Sequence, residues 1–100
     1  MSEALVPEKQ KQKLKEPSKY AVVVHNDDFT PMEFVVVVLT KVLKVSLEDA
    51  ERMTFEIHLK GKTIHGAYTR DVAETKATLI CQLAQENEHP LKADVEKLDE

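Results

Sequence analysis

The sequence predicts an α+β domain, a small sheet with helices packed on one face. A short β-branched run, Tyr20 to Val24, ends in a polar cluster, and two later stretches place apolar residues three and four apart behind helix-capping signals. A segment punctuated by Gly61 and Gly66 then separates the second helical stretch from a third.

Each element follows from local chemistry. Tyr20 to Val24 reads as a strand running into His25, Asn26, Asp27 and Asp28, a loop by polarity. Thr30-Pro31-Met32-Glu33 has the makings of a helix start: Thr30 as cap, Pro31 at the first helical position and Glu33 returning a bond to the cap backbone. Four consecutive valines, Val35 to Val38, pull toward strand because β-branching restricts helical rotamers. Met32, Val35, Val36, Leu39 and Leu43 nevertheless keep helical spacing over a run too long for a strand, so a helix is expected. Ser46, with Asp49 three residues on, caps a second helix carrying Leu47, Ala50, Met53 and Ile57 to about His58, and Gly61 ends it. Lys62 to Tyr68 reads as a strand bent or bulged at Gly66. From Thr69 a third helix buries Ala73, Ala77, Ile80 and Ala84, with Leu79 and Leu83 widening the stripe, and stops near Asn87. Leu91 to Val95 closes the order as a last strand, and no internal repeat is present.

The 100 residues suffice for one core and no more. The longest apolar run, Phe34 to Leu39, falls far below the roughly 18 residues that a bilayer demands, and Met1 to Pro7 lacks the basic and apolar regions of a signal peptide. A single cysteine, Cys81, leaves no internal disulfide and fits a reducing, cytoplasmic setting with no membrane partner. Fourteen basic against 18 acidic residues give −4, which argues against nucleic-acid binding and toward cationic partners. The charge divides unevenly. Residues 1–17, bracketed by Pro7 and Pro17, carry Lys9, Lys11, Lys13 and Lys15 against three glutamates, a sum of +1, leaving −5 for residues 18–100. The first stretch is expected to be a disordered N-terminal extension of the folded domain.

Asn26, Asp27 and Asp28 stand between a strand end and a helix start. Such residues satisfy turn backbones and favour a helix N-terminus. Equally, an Asn carbonyl and an Asp carboxylate there form a small acceptor-rich pocket selective for an ammonium group. His58, bordering the buried face of the second helix, either complements that helix's C-terminal dipole or supplies another acceptor. His25, Asp27, Asp28 and His58 are also metal-ligand types, but no Cys pair, His-x-x-x-His or Gly-centred calcium loop accompanies them. No nucleophile–base pair, phosphate loop or dinucleotide fingerprint occurs, so no catalytic residue, cofactor or metal is assigned.

The string Asn26-Asp-Asp-Phe-Thr-Pro-Met-Glu-Phe-Val35 closely resembles the signature of ClpS, the adaptor that delivers N-degron substrates to ClpAP- or ClpCP-type proteases. His58-x-x-Gly61, Val72-Ala-Glu-Thr-Lys76 and Glu86-Asn-Glu-His-Pro-Leu91 follow in the family's order, so the resemblance spans about residues 18–97. It implies a three-stranded antiparallel sheet with three helices. By the same resemblance, Asn26, Asp27 and His58 bond the free α-amino group of a protein beginning with Leu, Phe, Tyr or Trp. Val24, Asp28, Thr30, Met32, Val35, Thr54, Ile57 and Leu91 wall the side-chain cavity. Asp71 and Lys76 lie on the surface that docks on the N-terminal domain of the ClpA- or ClpC-type unfoldase, and residues 1–17 resemble the leader that engages its pore. A monomer is expected. Thr54 stands where the family commonly has Met, which predicts either relaxed shape selection extending to Ile or Val or a weaker grip on Leu through lost contact, and His25 replaces an apolar residue. Two other readings stay open: a small metal-dependent enzyme using His25, Asp27, Asp28 and His58, and an unfoldase regulator without degron binding.

Overall fold

The computed structural model describes residues 18–98. The expected extension, residues 1–17, lies outside the described residues. Strand β1 (Tyr20–His25) leads to helices α1 (Met32–Leu43) and α2 (Leu47–Lys60), then to β2 (Lys62–Tyr68), α3 (Arg70–Glu86) and β3 (Lys92–Lys97). The sheet is antiparallel in the order β2-β1-β3, with β1 at its centre.

Alternation along β1 sends Val22 and Val24 into the core beneath the helices, while Ala21 and Val23 take the other face. The valine run is helical: α1 buries Val35, Val38, Leu39, Val42 and Leu43, and leaves Val37 exposed. Burying each such aliphatic side chain contributes about 1.5–3 kcal/mol, more than the small helix penalty of a valine. α2 adds Ala50, Met53 and Ile57, and α3 presents alanines at 73, 77 and 84 around Ile80, a surface small enough to lie close on the sheet.

The helix ends repeat the predicted chemistry with one exception. Ser46 Oγ accepts from the Asp49 amide at 3.0 Å, Thr69 Oγ1 from Val72 at 3.3 Å, and Gly61, at φ 95°, stops α2. α1 differs from expectation: Pro31 occupies the cap position without a side-chain cap, and the Thr30 hydroxyl donates elsewhere. A second difference is His25, which belongs to β1 and pairs with Lys62 and Lys92 rather than opening a loop. α2 runs two residues beyond His58, and β3 is displaced to Lys92–Lys97.

Two side chains fasten α3 and the segment that follows it. Lys76 Nζ donates to the Val42 carbonyl, one of the groups left unpaired at the end of α1, at 3.2 Å, and lies 5.4 Å from the Tyr68 ring centroid. Burial, followed by the Lys76 charge, keeps the nearby His65 imidazole below its ordinary pKa. His89 packs on Phe34, ring centroids 4.5 Å apart.

The register slips between Tyr20 and Val22, where β2 bulges around Gly66. Gly66 has φ 87°, and a Cβ there would run into the Tyr68 ring. Gly66→Ala is therefore expected to combine left-handed strain with displacement of Tyr68 and to lower stability by about 2–3 kcal/mol, read from the denaturant midpoint.

Candidate functional site

The β1–α1 loop is folded around one carboxylate. Asp27 Oδ2 accepts the Phe29 amide at 3.0 Å and the Thr30 hydroxyl at 2.8 Å, an Asx turn closed by a side-chain strut. This is why Thr30 does not cap α1: its hydroxyl is committed to Asp27. With Oδ2 doubly occupied, the orientation of the carboxylate is fixed, and Oδ1 accepts no bond among the described residues.

Asn26 is anchored through its backbone, whose N–H donates to the Gly61 carbonyl at 2.8 Å. Its side-chain Nδ2 donates to Asp28 Oδ1 at 3.2 Å. An amide oxygen facing that carboxylate would be repelled, so Asn26 Oδ1 is the end left as an acceptor. The Gly61 contact also sets the loop against the last turn of α2, which carries His58.

Beside these groups lies a cavity of about 180 Å³. Asn26, Asp27, Asp28 and His58 form its polar side. Its apolar side comes from Val35, Ile57 and Leu91, all buried, with Met32, 44% exposed, at the rim. Thr30 and Thr54 complete the lining. Engineered apolar cavities of about 150 Å³ accommodate benzene, so this one is sized for a single large side chain. The Thr54 hydroxyl donates to the Ala50 carbonyl at 2.7 Å and is spent within α2. Thr54 therefore offers the cavity no free donor and behaves there as a small apolar residue.

Ten of the residues expected at the site thus converge on one cavity, and Val24 does not. It is fully buried in the core and absent from the lining. His25 is also elsewhere: its Nε2 meets Asp94 Oδ1 on β3 at 3.1 Å. Among the described residues no three His, Cys, Asp or Glu side chains form a metal-ligand set, so the four residues of the metal reading are not brought together as one. Asp71 is exposed near the start of α3, whereas Lys76 is half-buried and occupied with Val42 and Tyr68.

A sheet under three helices, with a side-chain-sized cavity rimmed by hydrogen-bond acceptors, defines a small recognition domain. The chain belongs to the ClpS family, since residues 15–94 match the family model for the ATP-dependent Clp protease adaptor protein ClpS. It is 48% identical over 96 residues to the ATP-dependent Clp protease adapter protein ClpS of Pectobacterium carotovorum subsp. carotovorum, covering 96% of this chain and 91% of that one. The protein of the same name from Escherichia coli O127:H6 is 46% identical over 95 residues, covering 95% and 90%. Among solved structures, Agrobacterium tumefaciens ClpS2 bound to L-phenylalaninamide superposes with a TM-score of 0.81 at 37% identity, over 83% of this chain and 100% of that one. The α+β fold and the membership agree with the sequence motifs, and the chain is an adaptor of the Clp protease. Among the described residues no helix is long and apolar enough to cross a membrane.

The Thr30–Asp27 strut is open to test. Thr30→Val removes a charge-assisted bond and is expected to cost about 1–2 kcal/mol. The Phe29 amide should exchange faster in this variant while α3 amides keep their protection.

Proposed function

We propose that this adaptor recognises the first residue of its substrates, binding the free α-amino group at Asn26, Asp27 and His58 and the side chain in the adjoining cavity. The observation that carries the reading is the pairing of oriented, unspent acceptors with an apolar cavity of about 180 Å³. An α-ammonium has three donors and a positive charge, which suit Asn26 Oδ1, Asp27 Oδ1 and a neutral imidazole. The ligand of the Agrobacterium relative supports this, because L-phenylalaninamide carries a free α-amino group next to a benzyl side chain. Asp28 and Thr30 border the opening. With no nucleophile or metal set required, the protein binds and hands over substrate, and catalyses no reaction itself.

Substrate choice falls to cavity shape. Leu, Phe, Tyr and Trp are the expected first residues, and the small, internally bonded Thr54 extends the range to Ile and Val. Delivery uses the N-terminal domain of a ClpA- or ClpC-type unfoldase, docked by the surface around Asp71 and Lys76 of a monomeric adaptor in the cytoplasm. Asp71 is the cleaner probe of docking, since replacing Lys76 also unfastens α3 from α1. Residues 1–17 enter the unfoldase.

Fluorescence anisotropy with peptides beginning in Phe, Leu, Ile, Ala and acetyl-Phe tests recognition. Phe is expected to bind at least about tenfold tighter than acetyl-Phe, because acetylation removes the charge and leaves acceptors unpaired at about 1–3 kcal/mol each. Equal binding of the two would sink amine capture. In the same series Thr54→Met should lose Ile while retaining Leu or Phe, and an unchanged order would remove Thr54 from the selectivity.

Delivery is measured separately. A chain beginning at Ser18 should bind these peptides as the full chain does, yet fail to promote degradation of a Phe-initiated substrate by unfoldase and protease. Degradation at the full-chain rate would exclude residues 1–17 from delivery.

A further inference from the structure

The end of α3 is built as a Schellman turn. The Glu88 amide donates to the Gln85 carbonyl at 3.0 Å and the His89 amide to the Ala84 carbonyl at 2.8 Å, the two bonds that close this motif. The motif needs a left-handed residue, and Glu88, at φ 62°, holds the place that glycine usually takes. Glu88 is exposed, so its strained backbone is kept by those bonds and not by packing. Pro90 then confines His89 to extended backbone. Lys92 already stands in the ladder opposite His25. Leu91 is therefore carried on a short span between two fixed points, the closed helix end and the first pair of β3.

His89 ties this span to α1. Half-buried, it packs on Phe34 with ring centroids 4.5 Å apart and planes tilted by 59°. No hydrogen bond among the described residues engages its ring, so the imidazole serves as a flat packing surface. Phe34 immediately precedes Val35, and His89 stands two residues before Leu91. Val35 and Leu91 are buried walls of the amine-binding cavity, whereas neither ring is part of its lining. The stack thus joins the backbone of one wall to the backbone of the other from outside the cavity.

We propose that His89 is a positioning residue that sets which first side chain the cavity accepts. Stacked on Phe34, it keeps Leu91 from drawing back from α1 and so preserves the fit around a large side chain. This role rests on first-residue binding in the cavity. Without the stack Leu91 stays near its place, because the β3 ladder still holds Lys92, but the wall yields when a ring presses on it. A bulky side chain then loses contact that a methyl group never makes. Amine capture is untouched, since Asn26 and Asp27 are held by the loop bonds and His58 by α2. Loss of the stack therefore acts on side-chain selectivity at constant amine chemistry.

NMR titration of the full chain with L-phenylalaninamide, L-alaninamide and N-acetyl-L-phenylalaninamide separates the two contributions: the first two share a free amine, the first and third a benzyl side chain. In His89→Ala and Phe34→Leu, L-phenylalaninamide is expected to bind about fivefold weaker, the scale of one aromatic pair, while L-alaninamide stays within about twofold. His89→Phe keeps a ring against Phe34 and should return the unsubstituted affinity. Glu88→Gly relieves the left-handed backbone, so its denaturant midpoint should equal or exceed that of the unsubstituted chain with the ratio of the two amides unchanged. Phe34→Leu keeps apolar bulk and decides the matter where His89→Ala does not fold. The proposal is overturned by an unchanged ratio in folded His89→Ala or Phe34→Leu, or by equal weakening of both amides. It is overturned as well if His89→Phe binds no better than His89→Ala, or if the ratio follows the midpoint in Glu88→Gly. Failure of the first-residue reading looks different: the unsubstituted chain would then bind L-phenylalaninamide and its N-acetyl form alike, leaving His89 no selectivity to set.

Discussion

The hydrogen bond from the Asn26 amide to the Gly61 carbonyl is the joint on which the site depends. Asn26 leaves the end of β1 and Gly61 ends α2, so one 2.8 Å bond fixes the acceptor loop against the turn that carries His58. Gly61 makes this possible through its left-handed backbone, where its amide closes the helix on the Ile57 carbonyl and its own carbonyl is free to face the loop. A residue with a Cβ is strained at φ 95° even though the space around Gly61 is open. The glycine is there for its dihedral angle and not for room.

Asp27 has two jobs that one carboxylate can hold because it has two oxygens. Oδ2 is consumed by the Phe29 amide and the Thr30 hydroxyl, which hold the loop in shape and aim the group. In the proposed complex Oδ1 is then presented without a search over rotamers, so little conformational entropy is lost on binding. Asp28 does for Asn26 what Thr30 does for Asp27, fixing which end of the amide faces the cavity. These two acceptors and their side-chain supports lie within five consecutive residues, 26–30.

Much of this was legible in the sequence, for physical reasons that differ by element. α1, α2 and α3 were visible because periodic burial outweighs the β-preference of four valines. Thr30 was misread because the residue pattern Thr-Pro-Met-Glu is a good cap signal locally, while a carboxylate three residues earlier makes a stronger, charge-assisted claim on the same hydroxyl. His25 looked like loop by polarity, yet its two neighbouring strands extend the ladder one residue further and Asp94 accepts its ring. The cavity had no sequence signature of its own: Val35 and Ile57 show only the periodicity of their separate helices, and with Thr54 and Leu91 the wall is drawn from α1, α2 and the segment before β3. Only the family motif assembled them, and it included Val24, which alternation buries under the helices. The Lys76 bond to Val42 spans 34 residues, beyond any local rule.

The division between an exposed polar rim and a buried apolar wall also explains how such a site coexists with folding. Asn26, Asp28 and His58 are exposed, so water satisfies their free acceptors when nothing is bound and the folded state bears no desolvation penalty. In the proposed complex the penalty falls on the ligand instead. A side chain entering the cavity brings backbone over the rim and displaces that water, and only a segment that returns donors offsets the loss. An internal residue or an acetylated terminus has one amide N–H where an α-ammonium has three donors and a charge, so it gains the apolar contact and forfeits the polar one. In the proposed complex, cavity depth sets which residue is accepted, and rim chemistry sets that it must be the first.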